Sequence, residues 1–317
     1  MVNDPRKAPT VSVVIPTTGR PSLVRAVRSA LAQDLAPLEV VVVYDRLVPE
    51  VPAALLAEVR VRVQHSAGGA GAAAARQLGA DAAAGEVVAF LDDDDEWRPD
   101  KLRLQVVELQ RLQATSRHAI VSCRALLTRD GTSGSVEPAR PYDGATDVAD
   151  YLFVRHRLLD GGFGLASSTL VCDTALLREV PWDGRLRLHE DWDWVLRATQ
   201  AGVPLRMLPE PLLIYRLQPL GSAGSRPAGG WTASAAWARS ASMSAAALGD
   251  FLLCVSAVNA AAYGDRRAAF ALARAAAREG RPSARAWGAF LIQALLPARW
   301  VSTAAQLARS ALSRPRS

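Results

Sequence analysis

Four short valine-rich segments in the first hundred residues, at 11–15, 40–43, 59–63 and 87–91, read as strands and are separated by stretches of helical spacing or composition. The run at 40–43 is unbroken valine, which suits a strand covered on both faces. Residues 21–32 place Leu23, Val27 and Leu31 at helical intervals, 52–59 reads as a short helix, and 71–84 is an alanine-rich helix closed by Gly85. Strands joined by helices of this length make right-handed parallel crossovers. The expectation is therefore an α/β fold with a doubly wound sheet. Ligands of such sheets bind at the carboxyl ends of the strands, where Thr17, Asp45 and the aspartates at 92–95 fall.

Beyond Pro99 an amphipathic helix is expected to about residue 115, then strands at 120–127, 167–171, 205–208 and 212–215. Residues 221–230 are rich in Gly, Ser and Pro and read as a linker. An Ala/Arg-rich helical region follows, broken near Gly264 and at 280–282. The predicted division is a catalytic domain over 1–220, the linker over 221–230 and a helical C-terminal region over 231–317.

Cys123, Cys172 and Cys254 lie far apart with no CxxC pair, against a thiolate zinc site or a disulfide framework and in keeping with a reducing cytoplasm. The first residues show no apolar leader, and no uninterrupted apolar stretch reaches the roughly 18–20 residues of a spanning helix. Residues 286–296 are too few, and the run around Phe251 is interrupted by Asp250. A cytoplasmic protein, soluble or peripheral to a membrane, is expected. The net charge of +6 is uneven: from residue 223 onward 12 arginines face 3 acids, which leaves −3 for the first 222 residues. A basic tail on an acidic body suits an anionic surface or, more plainly, a solvated helical face. No nucleic-acid partner is expected.

The chemistry concentrates in two places. Asp92-Asp93-Asp94-Asp95-Glu96-Trp97 follows a buried strand, and four adjacent carboxylates repel one another unless a cation is shared. Oxygen-only ligands favour Mg²⁺ or Mn²⁺, and such an ion can hold and neutralise a diphosphate. The alternative is a solvated acidic turn before the helix that starts near Arg98. His189-Glu190-Asp191-Trp192-Asp193-Trp194 opens a second helix. A helix cap and a catalytic base beside an aromatic sugar platform are both open readings there. Gly68-Gly69-Ala70-Gly71 mimics a dinucleotide phosphate loop but has Ala74 at the third glycine position, so it reads as a close approach of backbone to a nucleotide. His65 and His118 read as structural.

Residues 11–20 (VSVVIPTTGR), 39–45 (EVVVVYD), Ala75-Arg76, Gly85-Glu86, 90–97, Glu190-Asp191, 209–212 (PEPL) and Tyr215-Arg216 together resemble family 2 glycosyltransferases, in the same order over about residues 10–220. The resemblance implies a GT-A fold, a nucleotide-sugar donor and inversion at the anomeric carbon. It implies that Thr17, Arg20, Asp45, Arg76, Asp92 and Asp93 serve the nucleotide-sugar and that Asp92 and Asp94 form a DxD motif for Mn²⁺ or Mg²⁺. Arg76 would steady the aspartate loop, Asp191 would be the base, and Trp97, Glu190 and Trp192 would lie on the acceptor side. The acceptor would be a glycan, a lipid-linked intermediate or a small molecule. Tyr44-Asp45-Arg46-Leu47 replaces the usual Asp-Asp-Gly-Ser, and Gln218 stands where a histidine often follows Tyr-Arg.

The rivals are a sugar-1-phosphate nucleotidyltransferase, which needs a glycine-rich, Arg/Lys-bearing first loop where this chain has 16–20 (PTTGR), and a non-catalytic nucleotide-sugar-binding module. A nicotinamide dehydrogenase would not need the four aspartates. In the tail, Trp287, Phe290, Leu291, Leu295 and Trp300 accompany Arg281, Arg285 and Arg299. That mixture fits a membrane interface or helices packed on the catalytic domain or in a homodimer.

Overall fold

The computed structural model describes residues 8–47, 50–158, 164–217 and 229–295. Gln218, most of the 221–230 linker, Arg299 and Trp300 lie outside the described residues. The chain forms two compact units, one of Met1–Gly144 with Phe163–Gln218 and one of Ala145–Gly162 with Pro219–Ser317. The first unit is thus interrupted by an excursion, 145–162, that a linear reading of the chain does not reveal.

The first unit opens with β1 (Val11–Thr17), α1 (Leu23–Leu31), β2 (Glu39–Tyr44), α2 (Ala53–Leu56), β3 (Val61–His65), α3 (Ala72–Ala82) and β4 (Val87–Phe90). Every residue of β1, β2 and β4 is buried, as expected of strands covered on both faces. β1 pairs in parallel with β2 on one side and β4 on the other, and β2 with β3. This order puts the topological switch point between β1 and β4, and ligands of such sheets bind at the carboxyl ends of the strands there. α3 lies close on the sheet because it is built from small residues. A Cβ at Gly79 would stand 2.4 Å from Cγ1 of Val14.

The sheet then becomes mixed. β5 (Glu96–Trp97), α4 (Lys101–Gln113), β6 (Ile120–Thr128) and β7 (Gly134–Glu137) precede a short 3-10 turn at Ser167–Thr169. β8 (Val171–Asp173), α6 (Thr174–Glu179), α7 (Glu190–Gln200) and β9 (Leu205–Arg216) complete the unit. Along the sheet the order is β3-β2-β1-β4-β8-β6-β9-β5, with β7 paired to β6. β8 is antiparallel to both β4 and β6. The two short strands predicted around Pro209 and Pro211 are one strand. The register against β6 shifts between Cys123 and Ala125, and this irregularity absorbs both prolines. The turn-like aspartate run ends in a strand that sequence reasoning did not foresee, β5, whose Trp97 stands opposite Leu213 of β9.

Lys101, in the first turn of α4, is fully buried, and its ammonium has no hydrogen-bond partner among the described residues. It sits 4.0 Å from the centre of the Trp97 ring, and burial lowers its pKa from 10.5 to about 8. A depression of that size corresponds to about 3 kcal/mol of desolvation cost at neutral pH, offset by up to about 2 kcal/mol of cation–π attraction. Lys101→Met is therefore expected to raise the melting temperature of the unit by about 2–4 °C at pH 7. The unfolded chain keeps the lysine protonated up to its ordinary pKa. The cost is thus fully present below pH 8 and is relieved as pH rises towards 10.5. Differential melting of the two proteins should show the advantage of the variant shrinking over that range. An unchanged difference from pH 7 to 10 would show that the ammonium carries no such cost.

The second unit is helical: α5 (Val148–Phe153), α8 (Gly230–Ser240), α9 (Ala245–Phe251), a π-helical segment (Leu252–Ala257), α10 (Val258–Ala262), α11 (Arg266–Glu279) and α12 (Ala284–Leu295). Phe153, Trp237 and Phe251 pack together with ring centroids 5.0–6.2 Å apart. The run Ala245–Ala262, discounted in the sequence because of Asp250, is a continuous helix of mean hydropathy 1.6, and by length and composition it could cross a membrane. Its packing marks it as the central helix of this unit, since 67% of it is buried inside the protein. The Asp250 carboxylate accepts hydrogen bonds from the Arg155 amide (2.7 Å) and from the Ser283 amide and hydroxyl (2.6 and 2.9 Å). Three donors from two other segments thus satisfy the charge within the unit.

Candidate active site

The aspartate run leaves β4 with alternating exposure. Asp93 and Asp95 are buried, whereas Asp92 and Asp94 are partly exposed. Each side chain therefore meets different partners. Asp93 accepts a hydrogen bond from the Thr17 hydroxyl at 2.5 Å, and Thr17 in turn accepts one from the Gly19 amide. Arg20 pairs with Asp94 at 2.5 Å and with Asp93 at 3.3 Å. Asp92 receives Arg76 at 2.7 Å and the Ser167 hydroxyl at 3.2 Å, and its amide donates to the Ser168 hydroxyl. Behind the run, Glu96 accepts from Arg25 (2.9 Å) and Arg216 (2.6 Å).

The concentration of charge is visible in the titration of these groups. Burial, and then repulsion from Asp92, pushes Asp94 up to about 6. Burial with repulsion from Asp92 and Asp94 raises Asp95 well above the usual carboxylate range. Asp93 is raised by burial despite the bond from Thr17. Tyr215 is raised as well, by burial and by Asp95, Asp94, Asp92 and Asp191. Such a loop is short of positive charge. The helix-cap reading fails here, since the N-cap of α4 is Asp100 and its side chain caps nothing.

Asp45, at the end of β2, is held beside Thr17 by a hydrogen bond from its amide to the Thr17 carbonyl (2.8 Å). Its carboxylate accepts from the Ser66 hydroxyl (2.5 Å) and from the amides of Ala70 and Gly71 (2.7 Å each). Burial works against the charged form, but these bonds hold the pKa below its ordinary value. The glycine-rich loop is thus folded onto Asp45. Gly71 has φ +88°, and a Cβ there would meet the guanidinium of Arg187, which donates to the Gly69 carbonyl.

The second motif opens α7. His189 adopts a left-handed conformation (φ 64°), uncommon for a residue with a side chain, and stacks on Trp192 with ring centroids 4.9 Å apart. No side chain caps this helix. Instead Glu190 reaches Arg76 at 3.2 Å and Asp193 pairs with Arg197 at 2.7 Å. Arg76 is 4% exposed, lies 5.2 Å from the Trp182 ring, and bridges Asp92 to Glu190, so one guanidinium joins the two motifs. Burial disfavours its charge, yet Asp92 and Glu190 raise its pKa, so it stays a cation. Asp191 differs from its neighbours: among the described residues no cation lies within ion-pair distance of it. Burial, and then Glu190, lifts it to about 7, against the pull of Arg76.

Thr17, Arg20, Arg76, Asp92, Asp93, Asp94, Glu190 and Asp191 are therefore gathered at one end of the sheet, with Asp45 on the adjoining strand end and Trp192 on the first turn of α7. Trp97 is placed differently. It is 3% exposed, its indole N–H donates to the Ser168 carbonyl at 2.9 Å, and it supports the loop from below instead of bordering an acceptor. Ser167, Ser168, Trp182 and Arg187 were missed in the sequence. Only the polar Ser-Ser-Thr run ahead of the apolar β8 hinted at the first two.

An oxygen-only donor set beside raised carboxyls suits a hard divalent ion. Among the described residues no group of three or more metal-ligating side chains is assembled. Asp94 and Asp92 could supply one or two ligands and a bound diphosphate the others, the usual arrangement for Mg²⁺.

Residues 12–138 match the family described as Glycosyl transferase family 2. The chain is 33% identical over 147 residues to the amylovoran biosynthesis glycosyltransferase AmsB of Erwinia amylovora, 46% of each protein. It is 28% identical over 218 residues to the succinoglycan biosynthesis protein ExoO of Rhizobium meliloti, 67% of this chain and 62% of that protein. The chain thus spans about half to three-fifths of these relatives' lengths. S. aureus TarS 1-349, solved in complex with UDP-GlcNAc, superposes with a TM-score of 0.56 at 16% identity, covering 95% of this chain and 89% of that one. The fold is accordingly GT-A with a helical C-terminal region. Residues 12–138 thus match glycosyl transferase family 2, and over 46% of its length the chain is similar to a biosynthesis glycosyltransferase.

Proposed function

We propose that this protein moves a glycosyl unit from a nucleoside-diphosphate sugar to an acceptor hydroxyl with inversion at the anomeric carbon. One observation carries the reading. Arg76 takes up Asp92 and Glu190, leaving Asp191 as a carboxyl without an ion pair and with a pKa near neutrality, which is what a general base needs. Asp191 removes the acceptor proton as that oxygen bonds to the anomeric carbon, and the bond from that carbon to the diphosphate breaks with its electron pair leaving on the nucleoside diphosphate. Thr17 and Asp45 stand at the strand ends where the nucleoside docks, and Arg20 lies beside Asp93 and Asp94 where the diphosphate is held. A Mg²⁺ or Mn²⁺ ion on Asp94 and Asp92 would neutralise charge on the departing diphosphate. The acceptor class suggested by the relatives' names is an intermediate of glycan biosynthesis.

The test is a screen of UDP-, GDP- and dTDP-sugars with Mn²⁺, reading free nucleoside diphosphate and product mass. UDP-GlcNAc is the first donor to try, because the TarS structure holds it. Release of nucleoside diphosphate from one donor class, lost in chelator and restored by Mn²⁺, is the expected result. Release of pyrophosphate from a nucleoside triphosphate and a sugar 1-phosphate would overturn the reading in favour of nucleotidyl transfer. Full turnover in chelator would remove the metal.

A further inference from the structure

The second unit carries a surface that the transfer reaction does not use. On α11, Arg266, Phe270, Arg274, Arg267 and Arg278 are all exposed, whereas Ala269, Ala273 and Ala276 are buried. At 3.6 residues per turn the five exposed residues fall within an arc of about 120°. Phe270 sits between Arg266 and Arg274 at helical i±4 spacing, 49% exposed. Its ring meets that of Phe290 on α12 at 6.1 Å, and the next residue, Leu291, is 46% exposed. Arginines therefore flank Phe270 along α11, and Leu291 is exposed on the neighbouring helix.

The acids that could neutralise this face are committed elsewhere. Asp250 is buried and bonded to Arg155 and Ser283. Asp265 accepts from the Ala268 amide at the start of its own helix. Glu279 pairs with Arg239 at 2.6 Å. Among the described residues no carboxylate lies within ion-pair distance of Arg266, Arg267, Arg274 or Arg278.

The possible occupants can be sorted by charge. Residues 296–317 contain Arg299, Arg309, Arg314 and Arg316 and no acid, so this segment is repelled by the face. A second copy meeting it about a two-fold axis would bring like charges together. A polyanion satisfies the arginines, and the exposed Phe270 and Leu291 select one that offers an apolar layer beneath its charges. We propose that this face docks on a membrane surface containing anionic phospholipid, with the arginines at the headgroups and Phe270 and Leu291 entering the acyl boundary. The proposal does not depend on which reaction the first unit performs.

The experiment is co-sedimentation of the full chain with phosphatidylcholine vesicles with and without phosphatidylglycerol, at low and high salt. Pelleting is expected only with phosphatidylglycerol and should weaken as salt rises. Each arginine near the surface strengthens partitioning roughly fivefold, so Arg266→Gln with Arg274→Gln should weaken it about 25-fold. Arg267→Gln with Arg278→Gln serves as a second, independent pair, and unchanged melting curves show that each variant is folded. Arg266→Lys with Arg274→Lys should bind as the wild type does, because a bilayer reads charge without requiring a bidentate fork. Equal pelleting with neutral vesicles, or unchanged pelleting of both glutamine pairs, would overturn the proposal. So would binding of duplex DNA with the same arginine dependence while vesicles are ignored.

Discussion

Asp191→Asn is expected to lower kcat by about 10²–10⁴-fold, the range of a lost general base, with donor affinity unchanged. The amide keeps the shape of the side chain and its bond with the Trp192 amide (2.9 Å in the native carboxylate) but cannot take a proton at neutral pH. Titration calorimetry with a nucleoside diphosphate should therefore give the wild-type affinity, since the residues proposed for the nucleotide are Thr17, Asp45 and the aspartate loop. The pH profile supplies a second readout. A base works only when deprotonated, and Asp191 is lifted to about 7. The wild-type kcat/KM should fall about tenfold per unit as pH drops below about 7 and level off above it. The residual rate of the asparagine variant should lack that limb. Near-native turnover in the variant would remove Asp191 from the chemistry. Glu190→Gln is the control: it should keep an acidic limb, moved to lower pH because the Glu190 repulsion that helps lift Asp191 is gone.

How far the site was legible in the sequence depends on what kind of signal each residue carried. The parallel half of the sheet was readable because valine runs and helical spacing are local patterns. The aspartates were readable because four adjacent charges after a buried strand have few structural uses. Arg76 was readable only through the family resemblance: in an alanine-rich helix it looks like any surface arginine. Its burial follows from Ala73 and Gly79, which let α3 approach the sheet. Ser167 and Ser168 come from a segment more than seventy residues after the loop they hold, and no spacing rule connects them. Trp97 illustrates the opposite failure. Beside acids it resembled an acceptor platform, yet pairing of β5 with β9 turns the ring inward onto Lys101. The excursion of 145–162 into the helical unit was invisible for the same reason as the serines, since only tertiary packing defines it.

Arg76→Met should destabilise the first unit. The methionine roughly keeps the length and apolar bulk of the side chain next to Trp182, so the loss is chiefly of charge. What remains is Asp92 and Glu190, both held by the arginine in the native protein at 2.7 and 3.2 Å. The guanidinium is buried but the two carboxylates are partly exposed, so the cost is about 1–3 kcal/mol, below that of breaking a fully buried pair. For a unit of this size that corresponds to a fall of roughly 2–12 °C in melting temperature. Arg76→Lys keeps the charge but cannot span two carboxylates with a single ammonium, so it should fall between the two. The cause can be separated from a packing defect by adding Glu190→Gln to Arg76→Met. If unpaired charge is the cause, the double variant melts above the single one, with a coupling of about 0.5–3 kcal/mol. A single variant that melts within about 2 °C of the wild type, a difference below about 1 kcal/mol, would show that the two motifs are held together by other contacts. In that case Arg76 would serve only the substrate.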